Sequence, residues 1–293
     1  MPSLPLVLVR PPSPRLAEGE LTHLDRVPVD PALARRQWEG YVAAFADRGW
    51  DVVELDAAPE HPDGVFVEDA LLVVERSERS EVERSERSEV ERSERSEVER
   101  SERSEVDRLA VLTSPGAASR RGELASARAG VDRLVAAGVE LEVAAIETPG
   151  HLDGGDVLEV GDVLYVGRSA RTDDEGIRQL ARLVEPYGRR VVPVPVTRVL
   201  HLKSAVTALP DGTVVGYPPL VEDAAGFATF LAVPEEHGTA VVDLGDGAVL
   251  MSADAPRTAA LYAARGLEVV TVPISEFERL EGCVTCLSVR VRA

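Results

Sequence analysis

The stretch Val157-Leu158-Glu159-Val160-Gly161-Asp162-Val163-Leu164-Tyr165-Val166 decides the fold. Two short runs rich in valine and leucine flank a Gly-Asp pair, a pattern that predicts a β-hairpin. A helical pattern over Asp173–Tyr187 follows, ends at Gly188 and leads into a further strand at Arg190–Val194. The sequence here therefore predicts a unit made of a hairpin, a helix and one more strand.

The same kinds of elements recur along the chain. Pro31–Arg48 has a helical pattern, with Asp30 as its N-cap and Gly49 at its end. The other predicted elements are strands at Leu6–Val9, Asp51–Leu55, Val139–Val143 and Val269–Val272, helices at Ser119–Ala137 and Arg257–Arg265, and hairpins around Asp211-Gly212 and Gly245-Asp246-Gly247. A strand pair with a helix is used about five times, which predicts an α/β architecture of repeated modules. A Rossmann sheet is disfavoured, since no Gly-x-Gly-x-x-Gly follows the first strand.

Four identical copies of Glu-Arg-Ser-Glu-Arg-Ser-Glu-Val occupy residues 75–106. Because the copies are eight residues long, each valine would be rotated by roughly 80° from the previous one around an ideal helix, so no apolar stripe forms. We expect a solvated, partly helical or disordered excursion in which nothing is buried, with a charged partner-binding arm as the alternative. Without the repeat, Val65–Val74 and Asp107–Leu112 predict one hairpin, so residues 1–293 form a single domain that the repeat interrupts.

Bulk properties exclude several classes of protein. The net charge of -19 argues against nucleic acid and anionic membranes as partners. No run of about 18 apolar residues exists, and Met1–Arg10 resembles a first strand more than a signal peptide. Two cysteines without an export signal indicate a reducing, cytoplasmic setting. The sequence leaves the oligomeric state open, with a homodimer as one arrangement.

A thiol stands near the end of the chain, in Glu281-Gly282-Cys283-Val284-Thr285-Cys286-Leu287-Ser288-Val289. Cys286 is the candidate nucleophile, and such a residue needs a lowered pKa or a nearby base. A buried structural cysteine is the alternative for Cys286 taken alone. Cys283 and Cys286 also spell Cys-x-x-Cys, which leaves a redox dithiol or a zinc site open.

Two further segments supply the partners that a thiol nucleophile requires. Leu152-Asp153-Gly154-Gly155-Asp156-Val157 places carboxylates around a glycine pair, and His201 follows an apolar run. A histidine suits general acid–base work near neutral pH. Aspartate, histidine and cysteine together predict a cysteine-dependent hydrolase or transferase. An ordinary turn and a core histidine are the structural alternatives.

Charged side chains suggest how a substrate would bind. Asp63, Glu68 and Asp69 form an acidic cluster, which suits a guanidinium cation if the cluster lines a cleft. Arg120 and Arg171 are candidates for a bidentate carboxylate clamp. A solvated strand edge is the alternative for the acidic cluster.

Together these segments resemble the dimethylarginine dimethylaminohydrolases of the guanidino-modifying (pentein) superfamily. The segments that carry the resemblance span the chain outside the repeat and are Pro62–Asp69, Ser114–Glu123, Leu152–Val157, Val166–Thr172, Leu200–Ser204 and Gly282–Val289. The resemblance implies a five-bladed, pseudo-symmetric α/β propeller with a central active site, in agreement with the repeated modules.

The resemblance also implies a reaction without a cofactor or a metal ion. Cys286 would attack the guanidinium carbon of an Nω-methylated arginine, His201 would transfer protons, and Asp153 would orient His201. Citrulline and a methylamine would be the products. The implied substrate-binding residues are Asp63 and Asp69 on the guanidinium, Glu68 in the same strand as a residue that shapes the pocket, Arg120 and Arg171 on the α-carboxylate, Leu21 in a lid, and the backbone of Leu280 at the α-amino group.

Three other functions stay open at this stage. Arginine deiminase or amidinotransferase activity belongs to the same superfamily. A non-catalytic arginine-binding protein would bind without turnover, and a redox protein would depend on a disulfide between Cys283 and Cys286.

Overall fold

The computed structural model describes residues 4–77 and 106–292. Most of the repeat, residues 78–105, lies outside the described residues, and so does the excursion predicted for it. Within the described ranges, fifteen strands form five sheets of three strands each. The strands are β1 (Leu6–Val9), β2 (Asp51–Glu54), β3 (Leu71–Glu75), β4 (Arg108–Leu112), β5 (Glu142–Ala145), β6 (Val157–Val160), β7 (Val163–Arg168), β8 (Arg190–Pro195), β9 (Val206–Ala208), β10 (Val214–Gly216), β11 (Phe230–Ala232), β12 (Val241–Gly245), β13 (Ala248–Ser252), β14 (Glu268–Val272) and β15 (Val289–Val291).

Each sheet repeats one topology. The middle strand pairs antiparallel with the first strand and parallel with the third, as β7 does with β6 and β8. The first sheet joins the two ends of the chain, because β1 pairs antiparallel with β15 and parallel with β2. This closure makes a ring of five blades, so the predicted five-bladed α/β propeller is confirmed.

Helices connect the middle and third strands of four blades, since a parallel pair needs a crossover. The α-helices in the described residues are α1 (Pro31–Ala46), α2 (Leu124–Ala136), α3 (Asp174–Val184), α4 (Leu202–Ala205), α5 (Pro256–Ala264) and α6 (Ser275–Glu278). The fourth blade has two short 3-10 turns, Pro218–Leu220 and Ala224–Gly226, where the others have a helix. Among the described residues, no helix combines the length and apolarity needed to cross a membrane.

Local sequence signals explain where the helices begin and end. The Asp30 side chain accepts hydrogen bonds from the amides of Ala32 and Leu33, as predicted for the N-cap of α1. The predicted helix Ser119–Ala137 is wrong at its start, because residues Ala118–Glu123 form a 3-10 turn before α2. Arg120 and Glu123 are both buried in that turn, and their ion pair shapes it.

The hydrophobic core lies between neighbouring blades. Leu71 packs in a cluster with β1 and α2, whereas Leu72 packs with residues of the third blade. Successive side chains of a strand point to opposite faces, so an inner strand such as β3 serves two interfaces. Both faces of a strand such as β3 are therefore buried against neighbouring blades, whereas an outer strand such as β8 is partly exposed.

Two predictions around the repeat require correction. Val65–Val74 is not one long strand, because Val67–Asp69 forms a 3-10 turn and only Leu71–Glu75 pairs with β4. The first residues of the repeat are part of the fold, although we expected none to be buried. Arg76 is buried and lies over the Tyr187 ring, and the Ser77 amide donates to the Tyr187 carbonyl.

Candidate active site

The candidate catalytic and guanidinium-binding residues come from four blades and meet because of their common position in the fold. Cys286, Asp69, Asp153 and His201 lie two to five residues before the inner strands β15, β3, β6 and β9, respectively. The inner strands surround the central axis, so residues at their amino ends converge there. Distances of 48 to more than 200 residues along the chain thereby become direct contacts.

His201 is held between two carboxylates. Its Nε2 lies 2.9 Å from Asp153 Oδ2, and its Nδ1 lies 3.7 Å from Asp69 Oδ1. Burial alone would lower the pKa of His201, but Asp69, Asp153 and Asp156 outweigh burial and raise this pKa to about 9. The imidazole is therefore protonated at neutral pH and is ready to donate a proton.

The glycine pair brings the Asp153 segment close to its neighbours. A Cβ on Gly155 would lie 2.6 Å from His201 Nδ1 and 2.7 Å from Asp69 Oδ1, and a Cβ on Gly154 would collide with the Glu68 carbonyl. Only glycine fits at both positions. The side chains and backbone of the site itself therefore require glycine at both positions.

Asp156 has a role that sequence reasoning left unassigned. Its Oδ1 accepts a hydrogen bond of 2.9 Å from the Leu202 amide, and its Oδ2 accepts from Ser169 and Thr172 at 2.7 Å each. Because Leu202 follows His201, this buried carboxylate fixes the backbone that carries the imidazole. The sequence signal that could have indicated this role is the second carboxylate of the segment Leu152–Val157.

Asp69 is kept ionised by its surroundings. Burial would raise its pKa, but His201 and Arg120 outweigh burial and lower the pKa of Asp69 below its ordinary value. The Gly155 amide donates to Oδ1 at 3.0 Å, and Arg120 pairs with Oδ2. Asp63 differs, since burial raises its pKa and the Glu20 amide donates to its Oδ2 at 3.1 Å.

Cys286 is 6% exposed and lies beside the second thiol. Its sulfur is 3.3 Å from the sulfur of Cys283, and both cysteines are free. The hydrogen bond with Cys283 and burial both raise the pKa of Cys286 well above its ordinary value. The candidate nucleophile therefore rests as a thiol, and a change in its surroundings would have to release the proton.

A small pocket of about 20 Å³ unites most of the predicted residues. The residues that line it include Asp63, Asp69, Arg120, Arg171, His201, Leu280 and Cys286. Three predicted residues do not line it. Asp153 reaches the pocket only through its contact with His201. Leu21 is half-buried and packs against the core of the first blade, and Glu68 lines a larger cavity. The pocket has room for about one water molecule, so a substrate enters only when a wall moves.

Comparison with known proteins gives relatives over nearly the whole chain. A dimethylarginine dimethylaminohydrolase of Streptomyces coelicolor is 49% identical over 285 residues, which cover 97% of this chain and 96% of the relative. The chain belongs to the dimethylarginine dimethylaminohydrolase family. The family resemblance seen in the sequence motifs is thereby confirmed. A scan against protein-family models found no match.

Two further comparisons agree with this family. A dimethylarginine dimethylaminohydrolase of Pseudomonas aeruginosa is 31% identical and covers 97% of this chain and 98% of its own length. A solved structure of a mutant of the Pseudomonas aeruginosa enzyme, complexed with citrulline, superimposes with a TM-score of 0.79. That structure is 29% identical and covers 97% of this chain and 98% of its own. The chain is accordingly an amidine hydrolase with the pentein fold.

Behind the pocket lies a cavity of about 720 Å³, lined by the inner strands. Glu68 stands at the boundary, where Oε1 pairs with Lys203 at 2.7 Å and with Arg290 at 2.9 Å. The Glu68 amide also donates to the Cys286 carbonyl at 3.3 Å. Glu68 therefore supports the Cys286 segment from behind.

Asp69, Asp153 and His201 form the group that could hold a metal ion in the described ranges. One ligand atom of each lies within 4.8 Å of the others. All three side chains already have hydrogen-bond partners. His201 bonds Asp153, and Asp153 also accepts from the Gly116 amide. Asp69 accepts from Arg120 and from the Gly155 amide.

Glu281 controls a wall of the pocket, a role that no sequence pattern indicated. Its carboxylate accepts hydrogen bonds from three consecutive amides, those of Thr22, His23 and Leu24. Glu281 has a φ of 60°, in the left-handed region that a glutamate rarely adopts. Backbone strain of this kind persists where the surroundings enforce it. The carboxylate thus holds the loop of residues 20–24 against the pocket.

We predict that Glu281→Ala loosens this loop and raises KM for methylarginine by about tenfold, because charge-assisted hydrogen bonds contribute about 1.5–3 kcal/mol. Cleavage by trypsin at Arg26 should also become faster. Asp246→Ala is the matched control, since Asp246 is acidic, has a φ of 51° and lies in a hairpin turn away from the pocket. Equal effects of the two substitutions on KM would contradict this role of Glu281.

Proposed function

We propose that the protein hydrolyses Nω-methylated L-arginine to L-citrulline and a methylamine. Cys286 acts as the nucleophile, His201 as the general acid and base, and Asp153 as the residue that orients His201. The observation that carries the proposal is the contact of a buried, protonated His201 with Asp153 and Asp69 in the pocket that also holds Cys286. Membership of the dimethylarginine dimethylaminohydrolase family supports it.

Substrate binding starts the reaction by activating the thiol. A guanidinium cation beside Cys286 favours the thiolate and lowers the pKa that the neighbouring thiol and burial have raised. Because His201 is already protonated, the thiol proton passes to solvent. The sulfur then attacks the guanidinium carbon, and a carbon–sulfur bond forms. His201 donates its proton to the methylated nitrogen, so the carbon–nitrogen bond breaks and the methylamine departs. An S-alkyl thiouronium intermediate stays attached to Cys286.

Water completes the reaction. His201, now neutral, removes a proton from a water molecule that attacks the thiouronium carbon. The carbon–sulfur bond breaks, the thiol is restored and citrulline leaves. Asp153 keeps the imidazole in one orientation through both steps, because its Oδ2 lies 2.9 Å from Nε2 and the Gly116 amide holds its Oδ1 at 2.9 Å.

Asp63 and Asp69 hold the guanidinium and fix its carbon near the sulfur. The surroundings of Asp69 lower its pKa and keep its charge for the guanidinium, whereas burial raises the pKa of Asp63. Glu68 acts from behind the pocket through its contacts with Lys203 and the Cys286 carbonyl.

The other end of the substrate lies towards Arg171. Its Nη2 pairs with Glu20 Oε2 at 3.1 Å and donates to the Thr22 hydroxyl at 3.2 Å, so an α-carboxylate would replace loop contacts. Arg120 has one N–H of Nη1 left for the clamp, because its other donors bond Asp69, Glu123 and the carbonyls of Asp63 and Phe66. The Leu280 carbonyl meets the α-amino group, and Leu21 closes over the substrate with its loop.

Citrulline formation from asymmetric dimethylarginine, monomethylarginine and arginine, measured side by side, tests this function. Turnover of the methylated substrates is expected. Faster turnover of arginine would indicate a deiminase, transfer to an added amine would indicate an amidinotransferase, and binding without turnover would indicate a binding protein.

We predict that Arg171→Ala raises KM for monomethylarginine by about 10- to 100-fold, since a charge-assisted pair of hydrogen bonds is lost. The decarboxylated analogue N-methylagmatine should show no such change, because it lacks the group that Arg171 binds. Arg168→Ala is the control, as Arg168 is exposed and pairs with Asp174. An equal loss with both substrates would overturn the assignment.

We further propose one catalytic domain, residues 1–293, in which residues 78–105 are dispensable. The Arg76 amide donates to the Asp107 carbonyl at 2.8 Å, so the two sides of the insertion are adjacent. Replacing residues 78–105 by a short Asn-Gly turn should leave kcat within about threefold. Deleting all of 75–106 should lower Tm, because this deletion removes Arg76 and with it the ion pair to Asp107. A large loss of kcat in the shorter deletion would contradict dispensability.

The proposal includes a cytoplasmic enzyme that acts on a small molecule, without nucleic acid or membrane as partner. The net charge of -19 supports the last point, since like charges repel. A homodimer is the association that we propose to test, by sedimentation over a range of protein concentrations, alongside fractionation of cells.

A further inference from the structure

Cys283 and Cys286 form a pair of thiols, of which the proposed hydrolysis requires only Cys286. We propose that Cys283 is an oxidative modification site, where a peroxide couples it to Cys286 in a disulfide that reversibly switches the hydrolase off. The sulfur atoms are 3.3 Å apart, and both cysteines are free. Only one of the two, Cys286, lines the substrate pocket.

The backbone already has the shape that such a disulfide needs. The Cys286 amide donates to the Cys283 carbonyl at 3.1 Å, so residues 283–286 form a tight turn. The end residues of a turn of this kind have Cα atoms less than about 7 Å apart, and disulfides span about 4.4–6.8 Å between Cα atoms. Bond formation requires the sulfurs to approach by little more than about 1 Å, which rotation of the side chains supplies.

The oxidant has its own route to Cys283. A second cavity, of about 280 Å³, is lined by Cys283 together with Arg198, Leu200, His237 and Ile274. Gly282 and Glu281 line both this cavity and the substrate pocket. A small peroxide therefore reaches Cys283 from one side while the substrate reaches Cys286 from the other.

The local chemistry makes Cys283 the first sulfur to react. Its hydrogen bond with Cys286 lowers the pKa of Cys283 to about 7 against the opposing effect of burial, and Thr285 Oγ1 lies 3.3 Å from its sulfur. The thiolate is the reactive form of cysteine. The substrate pocket and the second cavity thus present two thiols of different acidity on the two sides of one turn.

Each step of the oxidation balances. The Cys283 thiolate attacks hydrogen peroxide, a sulfur–oxygen bond forms, the oxygen–oxygen bond breaks, and hydroxide leaves to give a sulfenic acid. The Cys286 sulfur then attacks the Cys283 sulfur, a disulfide forms, and the departing hydroxide takes the Cys286 proton as water. Two thiols lose two electrons, and peroxide becomes two molecules of water. The nucleophile is then unable to attack a guanidinium carbon until a dithiol reduces the bond.

Treatment of the full-length protein with stoichiometric hydrogen peroxide tests the proposal. The two titratable thiols should fall to none, the monomer mass should fall by about 2 Da, and citrulline formation should fall at least tenfold and return with dithiothreitol. The thiol count and the mass do not depend on activity, so they test the disulfide even if the substrate assignment fails. Loss of activity with gain of oxygen mass and no recovery would overturn the proposal, as would unchanged thiols.

Cys283→Ser and Cys286→Ser separate the pair from each cysteine alone. Neither variant should show the loss of about 2 Da. Peroxide should oxidise Cys283 in Cys286→Ser to a sulfenic acid that a dimedone probe labels, which places the first reaction at Cys283. Absence of label on Cys283, with folding verified by circular dichroism, would overturn that order. For Cys283→Ser, citrulline formation after peroxide treatment is compared with citrulline formation by the same variant before treatment. If dithiothreitol restores the activity of treated Cys283→Ser as fully as it restores that of the unsubstituted protein, the role of Cys283 is contradicted.

Discussion

Replacing Cys286 by serine should lower kcat for methylarginine by at least about 10⁴-fold. Nucleophilic catalysis depends on the sulfur itself, and removal of a catalytic nucleophile costs on the order of 10⁴- to 10⁶-fold in other hydrolases. A serine hydroxyl has a much higher pKa than a thiol, and a bound guanidinium cation is too weak a partner to ionise it. Single-turnover measurement of citrulline release gives the loss directly.

Stability should change little in this variant, because serine is slightly smaller than cysteine and Cys286 is 6% exposed. We expect a change in the free energy of unfolding within about 1 kcal/mol. Cys283→Ser is the matched control, since the same exchange three residues away changes a side chain outside the lining of the substrate pocket. It should keep activity within about tenfold of the unsubstituted protein. Activity of Cys286→Ser above about one per cent would exclude Cys286 as the nucleophile.

The elements that local chemistry specifies were predictable from the sequence. The Gly161-Asp162 hairpin and the Asp30 cap of α1 both occur as predicted. Gly188 follows the last turn after α3 with a φ of 71°, which glycine adopts without strain. Turn and cap signals act within a few residues, so they are visible without a fold.

The sequence patterns did not predict features that depend on the closed ring of five blades. The pairing of β15 with β1 joins residues almost a whole chain apart, and no periodicity indicates it. The fourth blade lacks a helix between β10 and β11, where Pro218 and Pro219 lack the amides that a helix uses. The modules are therefore less uniform than the fivefold pattern suggested.

The residue types of the site were predictable from the sequence, but the directions in which their side chains point were less so. Glu68 was expected beside the substrate, yet the turn Val67–Asp69 directs its carboxylate to Lys203 in the cavity behind the pocket. Glu281 gave no signal at all, because its role consists of hydrogen bonds to amides more than 250 residues away. Neighbours in sequence therefore point into different cavities, and the direction depends on local backbone geometry.

Replacing Asp153 by asparagine should lower kcat by about 10³- to 10⁴-fold, as loss of a histidine-orienting aspartate does in other enzymes. Asp153 is 0% exposed, so its negative charge acts on His201 without solvent between them. An asparagine side chain keeps the size of the group but lacks the charge. Its amide also allows the imidazole to take a second orientation, in which the wrong nitrogen faces the substrate.

The pH dependence gives this prediction a second readout that loss of folding would not produce. The pKa of His201 is about 9, because Asp69, Asp153 and Asp156 outweigh the effect of burial. Protonated His201 donates the proton to the leaving amine, so kcat should fall as pH rises through this value. Without the Asp153 charge, the pKa of His201 falls and the decline of kcat should begin at lower pH.

The experiment compares kcat from pH 6 to pH 10, a span of about 4 pH units around the ordinary and raised pKa values, with an NMR titration of His201. Asp153→Glu is the matched variant, because it restores a carboxylate with one more methylene. It should return the decline of kcat towards the position seen with Asp153 and recover part of the rate. A decline at the same pH in Asp153→Asn, with kcat unchanged, would show that the orientation and charge of His201 come from Asp69 and Asp156 instead.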